Sequence, residues 1–334
     1  MRVKLLIASD DADYSEHISG YISEHHTDVI DVTVCSSVER LKELLRIQNF
    51  DAALLEASQI GGIDLCAIML PMLLWTDDVC AEVAPAELKK INKYQRISAI
   101  TASVLENCAI ASPYLRDPDT GKARITAVWS PAGGVGKTSV ALAFAASKVS
   151  ENKNVLYLNL ESFSSVPVYF SETGKGISAV FEMLENSECN VKMLIQSINR
   201  QDRGGISYFC RPDNFDDLNI LSVENIGVLT NACAGVSDEL IIDLSCACDE
   251  RTRQVFSIAD KVLLVIDQTN MAKNKLSQFV YQHDMFDLIK NKAALVINKS
   301  ATIDEQITDE VIALPMVQSA DPLSVYKTLS NYFG

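Results

Sequence analysis

Basic side chains are scarce in this sequence. Its 334 residues include 29 lysines and arginines against 44 aspartates and glutamates, which gives a net charge of −15 at pH 7. A broad nucleic-acid surface and attachment to anionic lipid both need clustered positive charge, so this balance argues against either. Only a local basic patch remains compatible with it, and we expect no nucleic acid as a partner.

Long apolar runs and regularly spaced cysteines are also missing. No stretch approaches ~18 uncharged apolar residues, so no transmembrane segment is predicted. Residues 1–9 indicate a strand, and they lack the long apolar run and the small-residue cleavage site of a signal peptide. The nine cysteines include no repeated CxxC pair, and Cys246 and Cys248 alone are too few for a structural zinc site. We therefore expect a protein of the reducing cytoplasm.

Short apolar runs alternate with longer amphipathic segments along the chain, which is typical of βαβ units with parallel strands. Helical spacing covers 14–24 and 38–47. The predicted strands are 3–8, 31–34, 52–55, 72–75 and 97–100, and then 123–129, 155–160, 206–210, 240–242, 261–266 and 293–297. Residues 112–122 hold two prolines, a glycine and several charges, a composition typical of a linker. We predict an α/β protein with domains at 1–111 and 123–334, joined by the linker 112–122.

The strongest motif is Pro131-Ala-Gly-Gly-Val-Gly-Lys-Thr138, which lies between a predicted strand and a helix beginning near Lys137. Binding of phosphates needs backbone N–H groups at close range, and Gly133, Gly134 and Gly136 remove the side chains that would block it. The following helix adds the positive end of its dipole. The general GxxxxGK[ST] pattern has glycine where Pro131 stands, but the inner GGVGKT is intact.

Three polar side chains complete the predicted phosphate and metal site. Lys137 is expected to reach the β- and γ-phosphates, and the Thr138 hydroxyl to coordinate Mg²⁺. Asp243 follows the apolar run 240–242, and a parallel strand would deliver it to the carboxyl edge of the sheet, beside the glycine loop. We predict that Thr138 and Asp243 hold the metal.

Further polar residues stand at the ends of other predicted strands. Asn159 and Glu161 alternate to the same side of one strand end. Glu161 is expected either to orient an attacking water or to contact Mg²⁺ through water, and the alternative is a solvated strand-end acid. Asn298 can pair with a purine edge, or simply form a turn. Pro315 ends a short apolar segment that follows.

The predicted cofactors are ATP and Mg²⁺. The predicted nucleotide-binding residues are Gly133, Gly134, Val135, Gly136, Lys137, Thr138, Ser139, Asn298 and Pro315, with catalytic roles for Glu161 and Asp243 and metal roles for Thr138 and Asp243.

From about residue 123 onward, the glycine loop, Asn159-x-Glu161, Asp243 and Asn298 resemble the MinD/ParA group of deviant Walker A ATPases. Members are ATP-dependent dimers that position other cell components. Their loop reads KGGxGKT, and its early lysine reaches the partner's nucleotide, whereas Ala132 stands at that position here. Their strand-end Asp-x-Asp is Asn159-x-Glu161 in this chain. The resemblance thus implies ATP binding with weak or absent hydrolysis, and the missing lysine weakens the case for an ATP-bridged dimer.

The first domain resembles a response-regulator receiver. Receivers place acidic residues after strand one, an acceptor Asp after strand three, Thr or Ser after strand four and Lys after strand five. This chain offers Asp10 and Asp11, then Glu56, then Thr76, and Thr101 after the predicted fifth strand, so the lysine is expected to be missing. Because Glu56 misplaces its carboxylate, we predict that it takes no phosphate. A flavodoxin-like domain without signalling ancestry is the alternative.

A receiver-like domain ahead of a deviant Walker ATPase resembles the TadZ/CpaE proteins of Tad (Flp) pilus assembly. The fold class implied is a flavodoxin-like receiver domain plus a P-loop parallel-sheet ATPase domain. The implied function is a polar localisation and assembly factor, an ATP-stabilised homodimer that contacts pilus and secretion machinery in the cytoplasm at a cell pole. One alternative is an active ParA-like ATPase that positions DNA or another cell structure. A receiver-plus-AAA+ transcription regulator is disfavoured, because the sequence has no GAFTGA-type loop.

Overall fold

A computed structural model describes residues 2–27, 29–76, 88–111, 123–185, 190–300 and 307–333, and the predicted linker 112–122 lies outside them. The strands of this described part are β1 (Val3–Ala8), β2 (Ile30–Cys35), β3 (Phe50–Glu56), β4 (Ile68–Trp75), β5 (Lys89–Asn92), β6 (Arg124–Trp129), β7 (Val155–Leu160), β8 (Arg200–Gln201), β9 (Ile206–Tyr208), β10 (Glu239–Leu244), β11 (Lys261–Asp267), β12 (Ala293–Asn298) and β13 (Glu310–Ala313).

The helices of the same residues are α1 (Ala12–His25), α2 (Val38–Ile47), α3 (Ala57–Ile60), α4 (Ile97–Ala111), α5 (Lys137–Ser150), α6 (Val166–Tyr169), α7 (Ser178–Glu185), α8 (Val191–Ile198), α9 (Asp217–Ile220), α10 (Val223–Ala234), α11 (Glu250–Ile258), α12 (Asn270–Val280), α13 (His283–Phe286) and α14 (Pro322–Ser330). Within this set, no helix combines the length and the apolar composition needed to cross a bilayer.

The chain forms two compact units. The first holds the described residues of Met1–Pro118 and of Glu188–Ser197, and the second holds those of Asp119–Ser187 and of Ile198–Gly334. Helix α8 therefore groups with the first unit, although the sequence suggested a continuous second domain. The backbone N–H of Asn190, just before α8, donates to the carbonyl of Ala109 in α4 at 3.1 Å.

The first unit is built on a five-stranded sheet in the order β2-β1-β3-β4-β5, with every neighbouring pair parallel. This is the 2-1-3-4-5 order of flavodoxin-like doubly wound folds. Strands β1 and β3 are almost wholly buried, as expected of parallel strands covered on both faces. The predicted N-terminal α/β domain with a parallel sheet is thus confirmed, while its descent from receivers stays a prediction.

The predicted fifth strand was wrong. Residues 97–100 begin helix α4, and the fifth strand is β5. The apolar run at 97–100 is too short to distinguish strand from helix, and the buried Ile100, Val104 and Cys108 follow at helical spacing. Strand β5 lies at the sheet edge and buries only Ile91, so it carries almost no apolar signal. The residue that follows this strand closely is Lys93, and the lysine predicted to be missing is present.

The second unit is built on an eight-stranded sheet in the order β13-β12-β11-β6-β10-β7-β9-β8. All neighbours are parallel except the two-residue β8, which pairs antiparallel with β9, so the sheet is mixed rather than purely parallel. The chain leaves β6, forms α5 and returns as β7, with β10 between those strands. The carboxyl ends of β6, β7, β10 and β12 therefore meet at one edge, where ligands bind in open α/β sheets.

Candidate functional site

The glycine loop joins the end of β6 to the start of α5. Gly134 and Gly136 have φ of +75° and +91°, in the left-handed region that disfavours residues with a Cβ. A Cβ on Gly136 would also collide with the side-chain amide of Asn298. Helix α5 begins at Lys137, directly after the loop, so its free N–H groups and positive dipole end lie there. This is the local geometry that the sequence motif predicted.

The side chain of Lys137 is buried in this site, where it contacts Glu161 and Cys246. Its Nζ lies 3.5 Å from Glu161 Oε1 and donates to Cys246 Sγ at 3.4 Å. Burial alone would lower the pKa of Lys137, but Glu161, followed by Cys246 and Asp243, outweighs it and leaves the pKa raised. The ammonium is therefore charged at neutral pH.

Asp243 lies on β10 with no exposed surface. Its Oδ2 accepts a hydrogen bond from Thr138 Oγ1 at 2.7 Å. The same oxygen also accepts from Tyr157 OH at 2.8 Å and from Asn159 Nδ2 at 3.2 Å. Its Oδ1 is buried and has no hydrogen-bond partner among the described residues. Burial, and after it the negative charge of Glu161, raise the pKa of Asp243 to about 7.

The Oδ1 of Asp243, which has no hydrogen-bond partner among the described residues, indicates whether a divalent cation suits this site. Buried polar atoms nearly always have a partner, so an orphaned carboxylate oxygen needs an explanation. A carboxylate oxygen and the neighbouring Thr138 hydroxyl are the hard oxygen donors that Mg²⁺ prefers, directly or through its water shell. The donor set of Asp243 and Thr138 therefore fits Mg²⁺.

Asn159 and Glu161 both lie in this cluster, at the end of β7. Asn159 donates to Asp243, while its Oδ1 accepts from the backbone N–H of Glu161 at 3.2 Å. The Glu161 side chain is 20% exposed and is paired with Lys137. Glu161 is therefore not a freely solvated acid, and its catalytic role remains a prediction.

The remaining predicted residues occupy less central positions. Asn298, the last residue of β12, donates from Nδ2 to the carbonyl of Val135 at 2.8 Å, and its Oδ1 accepts from the backbone N–H of Lys299. Both ends of its amide are engaged, so purine pairing stays a prediction. The Ser139 hydroxyl lies 3.3 Å from the hydroxyl of Tyr169. Pro315 is half-buried just beyond β13, the strand beside β12.

Sequence reasoning missed three residues of this site. Tyr157 stands two residues before Asn159 on the same strand, so the alternation that placed Asn159 could also have found it. Cys246 and Lys299 follow strands β10 and β12, and neither belongs to a motif that would single it out.

A second buried cluster lies in the first unit, around Lys93. Its Nζ is 2.6 Å from Glu56 Oε1 and 3.0 Å from Asp11 Oδ2, and it lies 4.7 Å from the ring centre of Tyr14. The backbone N–H of Asp10 donates to Glu56 Oε2 at 3.2 Å. Burial alone would lower the pKa of Lys93, but the hydrogen bonds that its ammonium donates to Glu56 and Asp11 leave the pKa raised. In the described part of the chain, no cluster of three or more His, Cys, Asp or Glu side chains could hold a metal ion.

Comparisons with known proteins bear on the second unit. No protein-family model and no curated protein matches the sequence. A ParA family ATPase from Chlorobium tepidum TLS is similar over 64% of this chain and 97% of its own, at 17% identity and a TM-score of 0.53. The septum site-determining protein MinD of Pyrococcus horikoshii OT3, complexed with Mg-ADP, covers 63% of this chain and 93% of its own, at 13% identity and a TM-score of 0.48.

A plasmid partition protein from Borrelia burgdorferi covers 64% of this chain and 98% of its own, at 15% identity and a TM-score of 0.45. At these identities a similarity concerns the fold alone, and the Chlorobium protein is the one of the three with a TM-score above 0.5. The second unit, with its eight-stranded sheet and glycine loop, has the fold of a ParA family ATPase.

Proposed function

We propose that the second unit binds ATP together with Mg²⁺ at the glycine loop. The observation that carries this proposal is the buried Oδ1 of Asp243, which has no hydrogen-bond partner among the described residues and belongs to a carboxylate beside the Thr138 hydroxyl and close to the Lys137 ammonium. A carboxylate oxygen, a hydroxyl and an ammonium at a helix N-terminus together match a metal-bound polyphosphate.

Each residue has a distinct part in the proposed complex. The N–H groups of the loop, including those of Gly133, Gly134, Val135 and Gly136, surround the phosphates. Lys137 is released from Glu161 to neutralise the β- and γ-phosphates. Ser139 lies on the first turn of the same helix, α5. A bound Mg²⁺ supplies charge neutralisation for the phosphates, as in other P-loop sites.

Thr138 and Asp243 are the proposed metal residues, with Asp243 acting through Oδ1 while its other oxygen stays hydrogen-bonded. Asn298 and Pro315, at neighbouring strand ends, are proposed to border the purine. Release of Lys137 would free the Glu161 carboxylate to orient a water for slow hydrolysis. Position 132, which is lysine in the related ATPases, is a buried alanine here, so we propose weak turnover or none.

At the level of the cell, we propose a localisation and assembly factor of the TadZ/CpaE kind for a Tad-type pilus. The support is a flavodoxin-like unit ahead of a unit with the ParA ATPase fold in one chain. ATP would stabilise a homodimer in the cytoplasm at a cell pole, and pilus or secretion proteins would be the partners. In the first domain, Glu56 stands in place of the acceptor Asp and pairs with Lys93, and its longer side chain is the reason that we propose a binding role rather than phosphorylation.

The decisive experiment measures ATP binding, oligomeric mass and ATPase rate on one purified sample, with ATP and with ADP. We expect Mg-dependent binding that Lys137→Ala abolishes, and a mass that doubles with ATP. Lys290→Ala is the matched control, because Lys290 pairs with Asp287 at 2.9 Å within the connection between α13 and β12. Unchanged affinity in Lys137→Ala would refute the site. Fast turnover would instead favour an active ParA-like ATPase, for which the Glu161 carboxylate beside Lys137 is the supporting observation.

A further inference from the structure

Two consecutive side chains at the end of β12 reach the glycine loop. Asn298 Nδ2 donates to the carbonyl oxygen of Val135 at 2.8 Å. Lys299 Nζ donates to the carbonyl oxygen of Gly134 at 3.1 Å. Two adjacent carbonyls of the loop are thus held by two adjacent residues from a strand more than 160 positions away.

The backbone of Lys299 is unusual in a way that fits this contact. Its φ is +59°, and among the described residues only Asn152 shares a positive φ without being glycine. Asparagine tolerates this region, whereas for lysine it is uncommon and costs conformational energy. A turn could avoid that cost with glycine or asparagine at this position. Lysine at this position is therefore explained by its side chain, which donates to the glycine loop, and not by the conformation of the turn.

The geometry of the peptide bond connects these contacts to ligand binding. A trans peptide is planar, so its N–H points opposite to its C=O. The Gly134 carbonyl shares a peptide with the N–H of Val135, and the Val135 carbonyl shares one with the N–H of Gly136. Holding the two carbonyls on one side therefore fixes two N–H groups on the other side.

We propose that Asn298 and Lys299 form a clamp that orients the Val135 and Gly136 N–H groups toward bound phosphate, which makes Lys299 a positioning residue. This inference rests on the proposed nucleotide site. Without the clamp, either peptide can rotate and turn a carbonyl oxygen toward the phosphates, where it repels them. Preorganisation of this kind raises affinity because the loop loses less conformational freedom on binding.

The charge of Lys299 adds to the effect. An ammonium on the carbonyl side polarises the peptide and makes the opposite N–H a better donor. Within 131–138 the sequence has one lysine, Lys137, and the position of the related early lysine is Ala132. Lys299 therefore brings a second positive charge to the loop from outside it. Its ion pair with Asp267, at 4.0 Å between Nζ and Oδ2, is long and leaves the ammonium directed at the loop.

The test compares full-length Lys299→Met, Lys299→Arg and Lys299→Gly with wild type. Calorimetry would measure binding of Mg-ATP and of Mg-triphosphate, an inorganic ligand that has no base or ribose. A charged hydrogen bond at a partly exposed position implies that Lys299→Met raises Kd about tenfold for both ligands. Lys299→Arg should stay within about threefold, because it keeps the charged donor. Lys299→Gly relieves the left-handed backbone and should still lose affinity.

Thermal melting of the same variants without ligand separates positioning from stability. We expect the Tm of Lys299→Met to match wild type and that of Lys299→Gly to match or exceed it, while Lys290→Met changes neither Tm nor affinity. Wild-type affinity in Lys299→Met would overturn the clamp and leave the nucleotide site standing, as would a loss confined to ATP, which would assign Lys299 to the base or ribose. A wild-type protein that binds neither ligand would overturn the nucleotide site, and the clamp with it.

Discussion

Replacing Asp243 with asparagine is predicted to stabilise the nucleotide-free second unit at pH 8 while abolishing its Mg-dependent binding of ATP. The side chain is fully buried, and its pKa is raised from 3.8 to about 7, first by burial and then by Glu161. At pH 8 the folded protein therefore holds a buried negative charge, and one of the carboxylate oxygens has no hydrogen-bond partner in the described part of the chain. Without a cation, a buried carboxylate of this kind lowers the free energy of unfolding of the folded unit.

The sign and size follow from proton linkage. Between about pH 4 and pH 7 the folded chain keeps a proton on Asp243 that the unfolded chain has lost, so the free energy of unfolding falls as pH rises through this window. At ~1.4 kcal/mol for each pH unit, the interval bounds the effect at about 4 kcal/mol. Asparagine accepts the same three hydrogen bonds but leaves a buried amide donor unpaired, at a cost of about 1–3 kcal/mol. We expect a net gain of about 2 kcal/mol at pH 8 and a small loss at pH 5.

The assay follows urea unfolding by tryptophan fluorescence in a Trp75→Phe background. The chain has two tryptophans, and this change leaves Trp129, whose indole N–H donates to the Ala247 carbonyl in the loop after β10. With an m-value of about 2 kcal/mol/M, the unfolding midpoint of Asp243→Asn should lie about 1 M higher at pH 8 in EDTA. Equal or lower stability at pH 8, together with a normal midpoint at pH 5, would show that Asp243 carries no costly charge there.

Two more changes probe the described contacts. Lys93→Met should lower the free energy of unfolding of the first unit by about 3 kcal/mol in urea, because it leaves the 12%-exposed Glu56 without its cation. Adding Glu56→Gln to the same chain should recover part of that loss. If the costs of the two substitutions simply add, the pairing is contradicted. Gly136→Ala should destabilise the second unit by about 2 kcal/mol, because φ at this position is +91°, and it should weaken ATP binding. Gly133→Ala is the control and should cost under about 1 kcal/mol, because a Cβ there meets only Cys246 Sγ at 3.9 Å. Equal costs for the two variants would show that the loop adapts to a side chain at Gly136.

The parts of the site that the sequence could predict depend on contiguous residues. The strand, the glycine loop and the helix from Lys137 form one local unit, so their residue types and spacing define the geometry directly. The position of Asp243 needed one further rule, that parallel strands bring their carboxyl ends to a common edge. The contact of 2.7 Å between Thr138 and Asp243 agrees with that rule.

The parts that could not be predicted depend on long-range packing. Strand β5 is short, lies at a sheet edge and buries only Ile91, so hydrophobic periodicity could not reveal it. Without this strand, Lys93 could not be recognised as the lysine that follows the fifth strand. The bond from Lys299 to Gly134 joins residues 165 positions apart through a turn with an uncommon φ. The residue type at position 299 does not predict this contact, because lysine is common after a strand.

The two buried acidic clusters differ in how their charge is balanced, and this difference separates structure from function. Glu56 has Lys93 on one oxygen and the Asp10 N–H on the other, so its cluster is complete within the protein. Among the described residues, Asp243 has three donors on one oxygen and none on the other, so the proposed cation would complete its cluster. Removing charge should therefore act in opposite directions: loss of Lys93 destabilises the first unit, whereas loss of the Asp243 carboxylate stabilises the second. A higher free energy of unfolding in Asp243→Asn would show that the buried Asp243 carboxylate costs stability, and cation binding is the reason we propose for keeping it.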